Sequence, residues 1–288
     1  MCLKMIKVRV PATSANIAMG YDCLGMAINL FTEIEIEDSE KFNITGCNEA
    51  FQNENNLVYQ GFIQGCKYLK RSVPTISIDI QSEIPESRGL GSSSACIVGG
   101  IIGAFEYFKK DVDKDVILQI ATAMEGHPDN VVPAIYGGLC MAFEDSNGHY
   151  DIIKYPIDDS YYFTAVIPDF KVSTSEARKI VPKEVKTSTV AHQLSHCLAM
   201  LNALSNGDIK QLNDSIDDRL HEPYRRKLIK GFDDIKNIVK SNDSIVYISG
   251  SGSTLIIISN SIDRRDKIIE ALQKRFEKFE IKNVEIMN

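Results

Sequence analysis

The chain contains no tryptophan, and no apolar run in it approaches the ~18 residues that a membrane-spanning helix needs. Aromatic packing therefore falls to tyrosine and phenylalanine, and no helical membrane span is expected. Lysines and arginines are scattered along the chain rather than gathered in long runs, and the formal net charge is −7. A general affinity for phosphate backbones is thereby excluded, and nucleic acid with it. Cys2, Cys23, Cys47, Cys66, Cys96, Cys140 and Cys197 are odd in number and contain no C-x-x-C pair. They read as reduced, mostly packed thiols of a cytosolic protein. Polar Lys7 and Arg9 follow the N-terminus at once, leaving no signal-peptide core. The expectation is a cytoplasmic, unanchored chain. Internal repeats, low-complexity tracts and proline-rich linkers are also missing, so the two halves of the 288 residues are expected to pack closely.

The pattern that is present is mixed. Ile6, Val8 and Val10 alternate with Lys7 and Arg9, Ile34 and Ile36 alternate with glutamates, and Ile76, Ile78 and Ile80 alternate with Ser77 and Asp79, as half-buried strands do. Asn56 can cap a helix whose Val58, Phe62, Cys66 and Leu69 recur at helical spacing. Residues 95–108 are apolar nearly all round, which suits a helix inside a domain. A further helix follows around Val116–Met124, then a strand pattern from Gly137-Gly138, with a hairpin turn at Asn147-Gly148. Beyond a boundary placed at 155, strands are expected at 162–167, 245–248, 254–258 and near Val284. Helices are expected from Ser175, at 190–204 stopped by Gly207, at 224–239 and at 264–278. This order makes an α+β protein with domains at 1–155 and 156–288, the second a sheet with helices on one side.

Chemistry concentrates in Pro85-Glu86-Ser87-Arg88-Gly89-Leu90-Gly91-Ser92-Ser93-Ser94-Ala95, between a strand and the buried helix. Glycines let backbone approach a ligand closely, and the following helix N-terminus offers unpaired N–H groups with a partial positive charge. The serine hydroxyls add donors, and one of them can coordinate the Mg²⁺ that accompanies a nucleoside triphosphate. Taken alone, such a loop also serves simply to cap a helix. The G-K-[ST] ending of a Walker loop and the G-x-G-x-x-G pattern are both absent.

The whole string resembles the phosphate loop of the GHMP kinases, roughly P-x-x-x-G-L-G-S-S-A, with Ser94 where alanine is usual. Pro11-Ala12-Thr13-Ser14-Ala15-Asn16 followed by Gly20-Tyr21-Asp22-Cys23-Leu24-Gly25 resembles the opening motif of the family's homoserine-phosphorylating branch, with Ala18-Met19 in place of Gly-Pro. Ser249-Gly250-Ser251-Gly252 resembles the third motif, with Ser253 where proline is usual. Glu125-Gly126-His127-Pro128-Asp129-Asn130, Ser173-Thr174-Ser175-Glu176-Ala177-Arg178 and Glu222-Pro223-Tyr224-Arg225 favour the same branch.

The resemblance implies a ribosomal protein S5 domain 2-like N-terminal domain, a ferredoxin-like C-terminal domain and a homodimer. It further implies ATP and Mg²⁺ as cofactors, and phosphorylation of L-homoserine on the way to threonine. By resemblance Glu125 and Ser93 hold the metal, and the 85–95 loop binds ATP. Asn16, His127, Asp129 and Asn130 seat the acceptor's polar end and hydroxyl, with Asn130 and Glu125 as the catalytic pair. An amino-acid acceptor needs an anion for its ammonium and cations for its carboxylate: Asp22 fits the first, Arg178 and Arg225 the second. No general base is assigned, because phosphoryl transfer rests mainly on positioning and electrostatics. Two other readings stay open: a GHMP kinase with a threonine or mevalonate-type acceptor, and a non-catalytic nucleotide-binding protein. His192 and His196, spaced i, i+4 without a third ligand, read as a helix face, and Cys23 and Cys96 as packing residues.

Overall fold

The computed structural model describes residues 5–288; Cys2, one of the thiols counted above, lies outside them. The architecture is α+β, built on two sheets. The first has six strands: β1 (Met5–Ala15), β2 (Leu24–Asp38), β3 (Asn43–Thr45), β4 (Ile76–Ser82), β5 (Leu139–Glu144) and β6 (Tyr150–Tyr155). The long β2 is its spine. β1 runs antiparallel along it from Met5 opposite Glu37 to Ala15 opposite Gly25, while β4 pairs with its second half and β5 with its first residues. The loop that joins β1 to β2 is therefore the opening motif, held at the mouth of a long hairpin.

Helices α1 (Leu57–Tyr68), α2 (Ser92–Tyr107), α3 (Lys114–Glu125) and α4 (Val131–Tyr136) pack with this sheet. Asn56 caps α1 as expected, its Oδ1 accepting from the Val58 N–H at 2.9 Å. The all-round apolar character of α2 matches its place, with Ile97, Val98 and Ile101 fully buried. It starts at Ser92, three residues before the expected 95, so its first turn carries the serine hydroxyls. The crossing of α1 and α2 is closed by glycine: a Cβ on Gly100 would stand 2.0 Å from the Val58 carbonyl oxygen, and one on Gly61 2.4 Å from that of Ile97.

The second sheet has the order β10-β7-β9-β8, from β7 (Tyr162–Ile167), β8 (Ile245–Ile248), β9 (Leu255–Ser259) and β10 (Glu280–Val284), every neighbour antiparallel. That is the ferredoxin-like order. Its β7–β8 crossover is long and holds α5 (Thr174–Lys179), α6 (Thr187–Asn206), α7 (Ile209–Ser215), α8 (Glu222–Arg225) and α9 (Phe232–Lys240), with α10 (Ile262–Arg275) before β10. Val166, Val246, Ile248, Leu255 and Ile257 pack with residues of α9 and α10. The alternate residues Phe163, Ala165, Tyr247, Ile256 and Ile258 join the large core that contains the first sheet.

The structure corrects the sequence reading at several elements. The helix expected over 224–239 is broken at Gly231, which takes φ +85 and packs where a Cβ would meet the Phe276 ring at 2.7 Å. β3, α4 and α7 were not anticipated; at three, six and seven residues they are too short to show a period. Among the described residues no helix is long and apolar enough to cross a membrane. Because the α1–α2 contact is backbone against backbone and cannot yield cheaply, Gly100→Ala is expected to cost at least about 1–3 kcal/mol, read by chemical denaturation.

Candidate active site

A cleft of about 740 Å³ runs between the two sheets, walled by the phosphate-type loop, the opening motif and the 249–252 turn. The loop is pinned from both sides. Gly89 and Gly91 adopt φ +76 and +68, and their missing side chains leave room for neighbours: a Cβ on Gly89 would lie 2.2 Å from the Ser249 carbonyl oxygen, and one on Gly91 1.9 Å from Thr13 Oγ1. Ser249 Oγ donates to the Gly89 carbonyl at 2.7 Å, the Thr13 N–H to that of Leu90 at 3.1 Å, and the Thr254 N–H to that of Arg88 at 3.0 Å. Arg88, also on the cleft wall, ties the loop to the second half of the chain, its Nε donating to the Pro168 carbonyl at 2.9 Å. The loop ends at the N-terminus of α2, where no side chain caps the first turn. Backbone donors and the helix dipole there are available to an anion.

Ser92 and Ser93 line the cleft; Ser94 and Ala95 do not. A helix turns about 100° per residue, so two positions past Ser92 the side chain points into the core. Ser94 is fully buried there, its hydroxyl without a partner among the described residues. Ser93 Oγ instead donates to Glu125 Oε2 at 2.8 Å, across from the last residue of α3. Gly126, at φ +87, ends that helix and turns the chain into the His127–Asn130 segment. His127 Nδ1 and the Asn130 N–H both reach Asp129 Oδ1, at 2.6 and 2.9 Å. Thr13 Oγ1 donates to Asn130 Oδ1 at 2.7 Å, so the asparagine's orientation is fixed from β1.

The charged groups meet at the opposite end. Arg178, at the end of α5, grips Asp22 with both terminal nitrogens, at 2.9 and 3.0 Å. Burial pulls its pKa down, but the hydrogen bond and charge of Asp22 outweigh it and raise the value overall. Arg225 is only 2% exposed, donates to the Gly250 and Ala177 carbonyls at 2.9 and 3.2 Å, and stands over the Tyr21 ring. Burial lowers its pKa. Among the described residues, no carboxylate lies within ion-pair distance of it. Asn16, 2% exposed, donates from Nδ2 to the same Gly250 carbonyl at 2.9 Å and accepts the Asp22 N–H at 3.0 Å.

The structure thus brings together Asn16, Asp22, Glu125, His127, Asp129, Asn130, Arg178, Arg225 and residues 85–93 in one cleft. Sequence reasoning missed the wall made by Cys47, Asn48, Phe51 and Asn55–Leu57, and the contribution of Thr13. The only signal there was a density of asparagines without periodicity. Cys23 packs against the core as expected, whereas Cys96 packs there and also lines the cleft; burial pushes the two thiols up to about 11 and about 12.

The His127 imidazolium is held chiefly by its hydrogen bond to Asp129, against burial, and titrates above its ordinary 6.5. A raised folded-state value contributes stability that is complete below 6.5 and lost as pH rises through the folded pKa. Asp129→Asn is therefore expected to bring the His127 titration, followed by NMR, down toward or below 6.5, and to remove that part of the pH dependence of stability.

Comparison with known proteins agrees with this geometry. The model of the GHMP kinases N terminal domain matches residues 56–138, and that of the GHMP kinases C terminal region residues 200–278. A homoserine kinase of Clostridium botulinum is 38% identical over 285 residues, 96% of each chain. One of Clostridium beijerinckii is 40% identical over 277 residues, 93% of this chain and 92% of its own. The crystal structure of homoserine kinase from Cytophaga hutchinsonii superimposes with a TM-score of 0.86 at 29% identity, covering 99% of this chain and 94% of the other. With its motifs joined in one cleft and nearly all of its length matched, the chain belongs to the GHMP kinase family, in its homoserine kinase branch.

Proposed function

We propose that this chain transfers the γ-phosphoryl group of ATP to the side-chain hydroxyl of L-homoserine, forming O-phospho-L-homoserine for threonine biosynthesis. The observation that carries the acceptor is Arg225: a buried guanidinium at the cleft wall with no carboxylate partner among the described residues. A buried unpaired cation is costly, and an incoming carboxylate relieves it. Beside it the Asp22–Arg178 pair is about one-third exposed at both partners. An α-amino acid can insert there, its ammonium on Asp22 and its carboxylate between Arg178 and Arg225.

The phosphates of ATP lie against residues 85–93 and the uncapped N-terminus of α2. Ser93 and Glu125 present a hydroxyl and a carboxylate oxygen to the same space, hard donors suited to Mg²⁺. Two protein ligands fit an ion that keeps its remaining positions for phosphate oxygens and water. Bound there, Mg²⁺ would neutralise charge on the phosphate oxygens. Asn130, fixed by Thr13, and the His127–Asp129 pair seat the acceptor's hydroxyl end. No side chain is given the role of base; orientation of the two substrates supplies most of the rate.

A homodimer is part of the proposal. Helix α6 carries no Asp, Glu, Lys or Arg in 20 residues and exposes Val190, Leu194 and Leu198 on one stripe, as an interface would. The six cysteines of the described residues, all free thiols, support a cytoplasmic setting.

Glu125→Gln should lower kcat by about 10²-fold or more while the folded protein persists, and Arg225→Ala should raise the homoserine KM at least about tenfold with the ATP KM little changed. Steady-state ADP release checks both; wild-type turnover in the first or an unmoved homoserine KM in the second would count against these roles. Leu194→Glu with Leu198→Glu should convert a dimer to a monomer in light scattering, and a wild type that is already monomeric would refute the interface.

A further inference from the structure

The loop that carries Asp22 is strained. Asn16, Ile17 and Ala18 take φ of +70, +33 and +54, and Asp22 takes +58, although none is glycine. Asparagine tolerates this region, whereas a β-branched isoleucine is a clear outlier. Such conformations persist only where surrounding contacts over-determine them. The Asp22–Arg178 pair is bidentate but partly open to solvent, and it acts only at the far end of the loop from Ile17 and Ala18.

Two side chains of the β7–β8 crossover add to the ties that Asn16 makes to the Gly250 carbonyl and the Asp22 N–H. His221 Nε2 donates to the Ala18 carbonyl at 2.8 Å, and Gln193 Nε2 donates to the next carbonyl, Met19, at 2.9 Å. A carbonyl only accepts, so the His221 proton sits on Nε2. The ring is 1% exposed and stacks on Tyr21 with centroids 5.2 Å apart. Burial outweighs Asp218 and lowers its pKa, consistent with a neutral donor. Asp218 organises both: it accepts from Gln193 Nε2 at 2.8 Å and from the His221 and Glu222 N–H groups at 2.8 and 2.5 Å. The same carboxylate therefore starts the short helix that ends in Arg225.

We propose that His221 and Gln193 are positioning residues for the acceptor subsite, clamping the Ala18 and Met19 carbonyls so that the strained 16–22 loop holds the Asp22 carboxylate against Arg178. Neither touches the acceptor; each acts through the loop. The inference rests on the acceptor reading above, and its test separates the two.

Hydrogen exchange of the 16–22 amides reads the clamp without any substrate, while separate variation of homoserine and ATP reads positioning. In His221→Leu the loop amides should exchange about tenfold faster, with distant amides unchanged. Its homoserine KM should rise about tenfold, with the ATP KM within about twofold. His221→Gln, which keeps an N–H donor, should restore both toward wild type. Should His221→Leu not accumulate as folded protein, Gln193→Leu, on the helix face, carries the same two measurements with the same expected changes. A folded variant with unchanged loop exchange, or with faster exchange and an unmoved homoserine KM, overturns the proposal. Faster loop exchange in a protein whose wild type does not turn over homoserine keeps the clamp and refutes the acceptor.

Discussion

The 249–252 turn of the second sheet comes close enough to the first that their backbones touch, and the cleft exists because of that contact. The Gly250 N–H donates to the Ala15 carbonyl at 3.0 Å, and its own carbonyl accepts from both Asn16 and Arg225 at 2.9 Å. Ser249 reaches the Gly89 carbonyl on one side and Ser14 on the other, and Ser14 in turn meets the fully buried Tyr247 hydroxyl at 3.2 Å. Three segments far apart in the chain are thus fixed by one buried polar seam. Such a seam is costly if half satisfied, so it specifies a single arrangement. It also explains the glycines: a side chain at Gly89 would drive the phosphate-type loop off the turn.

From that seam the division of labour in the cleft follows. The end proposed for the nucleotide is built of backbone and hydroxyls, with a helix N-terminus as its source of positive potential. The end proposed for the acceptor is built of full charges. Arg225 lies buried on carbonyl oxygens alone, while Arg178 is neutralised by Asp22. On the proposed reading, a buried guanidinium beside an ion pair that can open would receive the carboxylate and the ammonium of an amino acid. A polyanionic acceptor would find too few cations at this end, and a neutral alcohol would leave Arg225 unpartnered.

What could be read from sequence depended on range. The 85–95 loop, the strands with period two and the Asn56 cap are local features, and local chemistry determined them. The fate of Ser94 was equally local in cause, but it required knowing that the helix begins at Ser92 and rotates that hydroxyl into the core. The partnership of Asp22 with Arg178 spans 156 residues, and nothing in either neighbourhood announces it. Nor does composition distinguish a buried Arg225 from a solvated arginine. Resemblance to the GHMP kinases pointed to Asp22, Arg178 and Arg225 as acceptor-binding residues, but not to the ion pair between the first two or the burial of the third. The asparagine-rich wall and Thr13 were invisible because they act through shape and a single hydrogen bond. The break at Gly231 was missed because the apolar pattern continues across it.

The chemistry of the cleft rests on one reaction, phosphorylation of an amino-acid hydroxyl, with homoserine the best match. The most direct measurement is kcat/KM for ADP release from Mg-ATP across homoserine, threonine, serine and mevalonate, with buffer alone as the baseline. Homoserine is expected to exceed every other acceptor. Turnover with mevalonate in preference to the amino acids would contradict the charge reading of the acceptor end, and ATP binding without turnover of any acceptor would contradict the kinase itself.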